Sequence, residues 1–321
     1  MMPDDITKQV LAGSPRALAR MITWVENNDQ KAVKCMEELH PHMGHALILG
    51  LTGSPGAGKS SLTDQITHHF RKQDKTVGIV AVDPSSPFTG GALLGDRIRM
   101  NRHTEDPGVF IRSMATRGFL GGLAQTTDNV VKVMDASGKD IVIVETVGVG
   151  QDEIDIMRIA DVICLILAPG YGDIIQSMKA GVMEIADIYV INKSDHAGAD
   201  QLYSEVNSRI LQDTQIKKIQ WTPPVVKTIA TEKTGVDDLM EAIESYQHEL
   251  NENGAILEKR RKRIRLQTFQ MIHLALFQRM ETALAQNGRL EQLVDAIVEK
   301  KENPYQAIRE IVDEFIQIPS R

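Results

Sequence analysis

Apolar runs and amphipathic stretches alternate through the middle of this 321-residue chain. Continuous apolar runs occupy positions 46–51, 77–82, 141–144, 162–167 and 188–191. Such runs are typical of parallel strands that are buried on both faces of a sheet. Between them, stretches such as 62–70 place apolar residues at helical spacing. The alternation predicts an α/β fold with an open, mostly parallel, doubly wound sheet and helices on both faces.

The two ends of the chain carry helical patterns without strand signals. Positions 6–26 and 29–38 have helical spacing, and so do 255–284, 290–299 and 305–318. We therefore predict an N-terminal helical segment over 1–44, an α/β domain over 45–252 and a C-terminal helical segment over 253–321. The last segment carries an apolar stripe, which we expect to form a homodimer; folding back on the α/β domain is the alternative. This stripe comprises Leu266, Phe269, Ile272, Leu276 and Met280.

Composition narrows the class of protein. With 42% hydrophobic residues and a net charge of −7, the chain can bury a large core, and the acidic balance argues against general nucleic-acid binding. The two cysteines, Cys35 and Cys164, lie far apart, which favours a reducing compartment. No run approaches 18 apolar residues and the first residues are acidic, so we expect a cytoplasmic protein with no membrane partner.

A phosphate-binding loop follows the first apolar run. Residues 53–60 fit G-x-x-x-x-G-K-[ST] between a predicted strand and a predicted helix, the context that this motif requires. Its backbone N–H groups and the helix dipole point at one phosphate, Lys59 adds a charge for the β and γ oxygens, and Ser60 offers a hydroxyl to Mg²⁺. A chance glycine-rich turn is the alternative. The predicted nucleotide-binding residues here are Gly53, Ser54, Pro55, Gly56, Ala57, Gly58, Lys59, Ser60 and Ser61.

The sequence N-K-S-D at 192–195, after the run 188–191, predicts that the nucleotide is GTP. The carboxylate of Asp195 can accept hydrogen bonds from the N1–H and amino group of guanine, whereas adenine presents a reversed pattern and leaves this acceptor unpaired. Asn192 and Lys193 complete the motif. The segment Thr-Ile-Ala-Thr at 228–231 resembles the loop that contacts ribose and base, which adds Ala230 to the predicted site; Ile229 stands where such loops usually carry serine.

Carboxylates at the ends of predicted strands indicate a metal site beside the phosphates. Asp83 and Glu145 end two apolar runs, and such ends gather around the ligand crevice of an open α/β sheet. Glu145 opens E-T-x-G, a variant of D-x-x-G whose glycine, Gly148, would contact the γ-phosphate. With Asp96 and Ser60 these carboxylates form the predicted Mg²⁺ site. A turn cap is the alternative for Asp83, and pairing with neighbouring arginines is the alternative for Asp96.

Four strings together resemble one family: V-D-P-S-S-P-F-T-G-G-A-L-L-G-D-R-I-R-M, S-M-A-T-R-G-F-L-G-G-L, E-T-V-G-V-G-Q and N-K-S-D. In this order and spacing they are similar to the MeaB/ArgK family of GTPases, chaperones of adenosylcobalamin-dependent acyl-CoA mutases. The resemblance covers about residues 50–235. It implies a P-loop GTPase domain that binds GTP or GDP with Mg²⁺ and hydrolyses GTP, together with a mutase partner whose cofactor loading and protection it gates.

The resemblance also implies roles for individual residues. Lys59, Asp96, Glu145 and Gly148 would serve hydrolysis, with Asp83, Asp96 and Glu145 at the metal and the attacking water. A further switch loop at 170–179 would sense the mutase through Asp173, Gln176 and Lys179. This chain carries Y-G-D-I-I at 171–175, where many relatives have a more acidic run.

Two other clusters allow functions of a different class. The basic run 259–263 is predicted to be the solvated face of a long helix; contact with the acidic α/β domain or an acidic partner, or nucleic acid, are the alternatives. His40, His42 and His45 are interpreted as a linker run, although a nickel or zinc metallochaperone GTPase would carry such ligands. A transport-associated kinase of the ArgK type is the other rival, and it would need an acceptor site that no motif here indicates.

Overall fold

Seven parallel strands form a single sheet in the computed structural model of the chain, which describes residues 3–83, 101–115, 122–146, 156–170, 182–217, 221–286 and 288–315. The strands are β1 Leu47–Thr52, β2 Val77–Asp83, β3 Val109–Ala115, β4 Ile141–Glu145, β5 Val162–Leu167, β6 Ile188–Ile191 and β7 Val225–Lys227. Their order in the sheet is β3-β2-β4-β1-β5-β6-β7. This sheet confirms the predicted open parallel architecture.

Helices cover both faces of the sheet because successive strand residues point to opposite sides. Among the described residues of this part of the chain, the α-helices are α1 Pro3–Leu11, α2 Pro15–Glu26, α3 Gln30–Leu39, α4 Lys59–Lys72, α5 Gly122–Ala136, α6 Ala199–Lys217 and α7 Val236–Glu252. On one face, Leu47, Leu49 and Leu51 of β1 share a core with α4 and α7. On the other face, Ile48 shares a core with α1, α2, α3 and α5, while α6 packs on β5 and β6.

The helical spacing at 6–26 continues across a break between α1 and α2. Gly13 has φ +74°, the Ser14 side chain accepts from the Ala17 N–H, and Pro15 begins α2. A left-handed glycine, a serine cap and a proline at the first helical position end one helix and start the next. The first two helices fold together with α3 and α5 in the same core.

The buried carboxylate of Asp135 attaches helix α5 to the segment that leads into β1. Asp135, near the end of α5, accepts hydrogen bonds from the backbone N–H groups of Gly44, His45 (3.1 Å) and Ala46 (2.8 Å). These three residues lead directly into β1. The entry to the central strand is therefore fixed by one side chain from a helix on the sheet face.

Helix α8, Ala255–Gln286, begins on the edge of the sheet opposite the P-loop. Lys259 Nζ donates to Asp187 Oδ2 (2.8 Å), just before β6, and Arg260 and Arg263 contact Asp161, just before β5 (3.2 and 3.1 Å). The prediction that the basic run is a solvated face is therefore wrong for these three residues. They instead contact the acidic α/β domain, which was the alternative. The residues just before two strands, Asp161 and Asp187, supply largely buried carboxylates there.

The chain divides into two compact units, Met1–Arg263 and Ile264–Arg321. The second unit comprises the remainder of α8 with α9 Arg289–Val298 and α10 Pro304–Phe315. Many of its large apolar side chains are exposed, Phe269 at 63% and Leu276 at 51% among them. The predicted domain limits at 44 and 252 stay predictions. Across the described residues, no helix is both long and apolar enough to cross a membrane.

Candidate functional site

The phosphate-binding loop lies between the end of β1 and the start of α4, at the centre of the sheet. Gly53 has φ +139°, and a Cβ atom there would lie 2.0 Å from the Ile166 carbonyl oxygen of β5. Gly58 has φ +97°, and its Cβ would lie 2.1 Å from Asn192 Nδ2. Both positions need glycine because of their backbone conformation and their close neighbours. The loop is therefore packed tightly between the strands that flank its base.

Lys59 is the first residue of α4, and it is only 6% exposed. Its ammonium group donates to the carbonyl oxygens of Gly53 (2.7 Å) and Ser54 (3.0 Å). The side chain thus folds back over the loop and places its positive charge beside the loop backbone. A charge in this place can form charge-assisted hydrogen bonds with phosphate oxygens.

Glu145 and Ser60 meet beside the loop. Glu145 ends β4 and is in register with Leu51 of β1 and Ala81 of β2, so the sheet itself carries its carboxylate to the P-loop. The Ser60 hydroxyl donates to Glu145 Oε1 at 2.6 Å, and Glu145 is 4% exposed. Hydroxyl and carboxylate oxygens are the hard donors that Mg²⁺ prefers, and it binds through one or two protein groups plus phosphates and waters. The donor set therefore fits this ion.

A second hydroxyl, which sequence reasoning missed, binds the other oxygen of Glu145. Thr63 Oγ1 lies 3.0 Å from Glu145 Oε2 and 3.1 Å from the carbonyl oxygen of Lys59. Thr63 is completely buried. No motif marks this threonine; only its spacing of three residues from Ser60, which places both on one helix face, could have indicated it.

Asn192 joins three parts of the site. Its Nδ2 donates to the Ala57 carbonyl oxygen (2.8 Å), and its Oδ1 accepts from Thr228 Oγ1 and from the Ala230 N–H (3.1 Å each). The N-K-S-D segment, the P-loop and the 228–231 segment are thereby held together by one amide. Asn192 is 2% exposed, which places these hydrogen bonds where water does not compete.

The segment predicted to bind guanine lies next to these hydrogen bonds, at the end of β6. The Ser194 N–H donates to the Thr228 carbonyl oxygen at 3.1 Å, and Lys193 adopts a left-handed backbone with φ +55°. These two features turn the chain at the end of β6. The Asp195 side chain is 47% exposed, with His196 Nε2 3.6 Å from its Oδ2. Its carboxylate is accessible to a base.

The structure brings together the P-loop residues, Glu145, Asn192 and Ala230 at one edge of the sheet. Asp83 ends β2 at this same edge, two residues beyond the partner of Glu145, and its side chain lies outside the described residues. The other predicted site residues also lie outside them: Asp96, Gly148, Asp173, Gln176 and Lys179.

The histidine cluster is exposed at all three positions, His40, His42 and His45. Within the part of the chain that the structure describes, no group of three or more His, Cys, Asp or Glu side chains could hold a metal ion. Cys35 and Cys164 are both buried, and neither forms a disulfide. Burial raises the pKa of the Cys164 thiol, which keeps this group protonated in the core.

A central P-loop and a seven-stranded parallel sheet define a P-loop nucleotide-binding protein, and its relatives place it among the GTPases. Residues 18–285 match the sequence model of the family described as methylmalonyl-CoA mutase-associated GTPase MeaB. The chain belongs to this family, which confirms the resemblance found in its motifs, and it is a GTPase.

Individual relatives agree with this assignment. A Pyrococcus abyssi protein named "Putative GTPase" is 47% identical, covering 98% of this chain and 97% of its own length. A mouse protein named "Methylmalonic aciduria type A homolog, mitochondrial" is 32% identical, covering 87% of this chain and 71% of its own. The solved structure of a LAO/AO transport system kinase has 25% identity, a TM-score of 0.69 and 98% coverage of both chains.

Proposed function

We propose that this chain is a GTP-hydrolysing chaperone that binds an adenosylcobalamin-dependent acyl-CoA mutase, either methylmalonyl-CoA mutase or a close relative. It gates the loading of the cofactor and protects the enzyme. The observation that supports this most is the match of residues 18–285 to a family described as mutase-associated. The name of the mouse relative, which refers to methylmalonic aciduria, points the same way.

In the proposed reaction, water attacks the γ-phosphate of GTP. The loop N–H groups and Lys59 bind the phosphates, and Ser60 with Glu145 would hold Mg²⁺, together with Asp83 and Asp96 as the resemblance implies. An Mg²⁺ ion held there would neutralise charge on the phosphate oxygens. Gly148 is proposed to contact the γ-phosphate and so to distinguish GTP from GDP.

The proposed guanine site consists of Asn192, Lys193, Asp195 and Ala230. Asn192 contributes by holding the P-loop to the 228–231 segment through its two ends. Because the side-chain amide of Asn192 contacts both segments, a shift of the base-binding segment would also move the P-loop. Asp195 supplies the selectivity for guanine, since its carboxylate accepts hydrogen bonds and donates none.

The proposed coupling to the mutase uses the segment that joins β5 to β6. It begins beside the nucleotide edge of the sheet, where partners and ligands of open α/β sheets meet. Asp173, Gln176 and Lys179 belong to it. We expect Gln176→Ala and Lys179→Ala to leave intrinsic GTP hydrolysis near the wild-type rate and to weaken its acceleration by the mutase.

The test first uses the tagged chain to copurify a candidate acyl-CoA mutase. GTP turnover of the purified chain is then measured with and without this mutase. Wild type should be accelerated and the two switch variants less so. Gln212→Ala, an exposed change on α6, is the matched control and should respond as wild type does. Absence of both copurification and acceleration with every candidate mutase would remove the chaperone proposal while leaving the GTPase class intact.

The second candidate function is a transport-associated kinase, because a solved structure that resembles this chain over 98% of its length is a transport system kinase. It differs in the fate of the γ-phosphate, which would pass to a protein or amino-acid acceptor rather than to water. Incubation with γ-labelled GTP and ATP separates the two: release of all label as inorganic phosphate supports hydrolysis, and label retained on an acceptor supports the kinase.

A metallochaperone on the same GTPase body is the third candidate, and the exposed histidines of the 40–45 segment are its only support. Titration with Ni²⁺ and Zn²⁺ tests it directly. Tight stoichiometric binding that is lost in a His40→Ala, His42→Ala, His45→Ala triple variant would favour this function. Weak binding that the triple variant retains would exclude a role for the cluster.

A further inference from the structure

Two hydroxyls of helix α4 hold the two oxygens of the Glu145 carboxylate. Ser60 Oγ is 2.6 Å from Oε1, and Thr63 Oγ1 is 3.0 Å from Oε2. Residues three apart lie on the same face of a helix, so α4 presents both hydroxyls to the end of β4 together. The orientation of the carboxylate plane is therefore set from its two ends.

Glutamate needs this second contact more than aspartate would. Its side chain has one more rotatable bond, and each freely rotating bond spreads the carboxylate over several positions. Thr63 is completely buried and Glu145 is 4% exposed, so water cannot take the place of the threonine hydroxyl easily. The Thr63 hydroxyl has two acceptors within reach, the Lys59 carbonyl oxygen and the Glu145 carboxylate. The charged carboxylate forms the stronger hydrogen bond.

The hydrogen bond from Ser60 leaves its oxygen able to bind a cation. A hydroxyl has one proton and two acceptor lone pairs. Because Ser60 gives its proton to Glu145, the lone pairs of its oxygen are directed away from that carboxylate. Its hydrogen bond to the carboxylate would make the serine oxygen a stronger ligand for a bound metal ion.

We propose that Thr63 is a positioning residue for the Mg²⁺ site: it fixes Glu145 so that the carboxylate accepts the Ser60 proton and aims the serine oxygen at the ion. This inference rests on the proposed GTP and Mg²⁺ chemistry and names a residue that no motif includes. It assigns Thr63 no contact with nucleotide. Its loss is therefore expected to alter the response to Mg²⁺ and to spare the metal-free affinity for nucleotide.

The test compares Thr63→Val, which has nearly the same shape without the hydroxyl, with Thr63→Ser, which restores the hydroxyl. The matched control is Thr67→Val, one turn further along α4: Thr67 is also completely buried, and its hydroxyl has no hydrogen-bond partner among the described residues. Removing an unpartnered buried hydroxyl should be neutral or stabilising. Thr63→Ala removes the same hydroxyl as Thr63→Val and keeps the test available if valine disturbs the packing.

Two measurements are made on each full-length variant: the Mg²⁺ concentration that gives half-maximal GTP hydrolysis, and the dissociation rate of fluorescent GDP in Mg²⁺ and in EDTA. Thr63→Val should raise the half-maximal Mg²⁺ concentration about tenfold, as expected for one lost hydrogen bond to a charged group. It should also shrink the slowing of GDP release by Mg²⁺, with the rate in EDTA unchanged. In Thr63→Ser, the half-maximal Mg²⁺ concentration and the Mg²⁺ effect on GDP release should both lie within about twofold of wild type. Thr67→Val should match wild type in both.

A wild-type Mg²⁺ response in both Thr63→Val and Thr63→Ala would overturn the positioning role and leave the proposed GTPase chemistry untouched. Equal shifts in Thr63→Val and Thr67→Val would also overturn it, because they would trace the effect to helix packing. If wild-type protein itself shows no Mg²⁺ effect on hydrolysis or GDP release, the proposed metal chemistry fails, and the inference about Thr63 fails with it.

Discussion

At the residue scale, the base-binding end of the site depends on a few side chains with different duties. The buried side chain of Asn192 forms hydrogen bonds with the backbone of two loops. The Asp195 side chain is 47% exposed, and among the described contacts its carboxylate lies near His196 rather than the backbone. A substitution at Asn192 would therefore disturb both loops. Asp195 is the position at which base selectivity can be altered with little effect on the scaffold.

We predict that Asp195→Asn weakens GTP binding by about tenfold to a hundredfold, the value of a hydrogen bond with a charged acceptor. The amide nitrogen would face the 2-amino group of guanine as donor against donor, and it would suit xanthine, which presents a carbonyl acceptor at that position. Affinity for xanthosine triphosphate should rise accordingly, as measured by calorimetry. His196→Ala, beside Asp195, should keep guanine selectivity; wild-type protein that prefers ATP over GTP would contradict the assignment.

The motif residues of the site could be predicted because each motif fixes chemistry within a few positions. The P-loop glycines and the N-K-S-D segment need particular residue types at particular spacing. Thr63 and the link from Asn192 to Ala57 have no such signature, since they depend on which strand ends lie beside α4. Roles of the individual site residues in binding and hydrolysis stay predictions, which the variants above are designed to test.

At the element scale, the strands missed by sequence reasoning had weak apolar patterns. Strand β3 contains Arg112, whose guanidinium is paired with Glu26 on α2, and β7 has only three residues. A largely buried charge in a strand is tolerated when a partner neutralises it, and here the partner is distant in sequence. The contacts of the basic run at the start of α8 could not be predicted for the same reason. Its partners, Asp161 and Asp187, are many residues away in sequence.

The contact of α8 with the sheet gives a prediction about stability. Asp187 accepts from the Ile163 N–H (2.9 Å), Tyr246 OH (2.5 Å) and Lys259 Nζ (2.8 Å). Lys259→Met should lower the free energy of unfolding by about 1–2 kcal/mol, because a largely buried carboxylate loses its charged donor. Arg261→Met, an exposed neighbour in the same run, should change it by less than about 0.5 kcal/mol.

Urea denaturation with both variants in the full chain checks this prediction, provided that the slope of the transition is unchanged. A loss in Arg261→Met as large as that in Lys259→Met would show that net charge, rather than the contact with Asp187, determines the effect.

A second element-scale prediction concerns pH. Arg71 on α4 donates to Asp106 through Nε (2.9 Å) and Nη2 (3.0 Å), ahead of β3, and these hydrogen bonds lower the pKa of Asp106 below its usual value of 3.8. A depressed folded-state pKa stabilises the fold above the unfolded value, and this contribution is lost as pH falls through the folded value. Asp106→Asn should therefore cost about 1 kcal/mol at pH 7.

The cost of Asp106→Asn should shrink as the pH falls below 3.8, where the unfolded chain takes up its proton first, and it should vanish below the lower folded-state pKa. Urea denaturation at about pH 7, 4.5 and 3 measures the difference between the two proteins. A difference that stays constant over this range would mean that the pair with Arg71 contributes nothing through its charge.

At the scale of the whole molecule, the GTPase unit contains a complete core of its own, whereas the helical unit leaves apolar side chains uncovered. Within 264–315, the exposed side chains of Leu266, Phe269, Ile272 and Leu276 lie along one helix. Exposed apolar side chains that are grouped on one helix are characteristic of a protein interface. We propose that a second copy of the chain covers it, which would make the protein a homodimer through its C-terminal helices.

This proposal predicts that the full chain is dimeric at micromolar concentration and that Phe269→Glu with Leu276→Glu makes it monomeric. Charges buried in an apolar interface without partners cost several kcal/mol, more than enough to shift a micromolar equilibrium. The matched control is Leu211→Glu. Leu211 lies on α6 in the GTPase unit and is similarly exposed (59%), so this variant should stay dimeric. Light scattering gives the mass of each, and GDP binding shows that the GTPase unit is intact. A monomeric wild-type protein would exclude the dimer, and its apolar stripe would then have to be covered within the same chain.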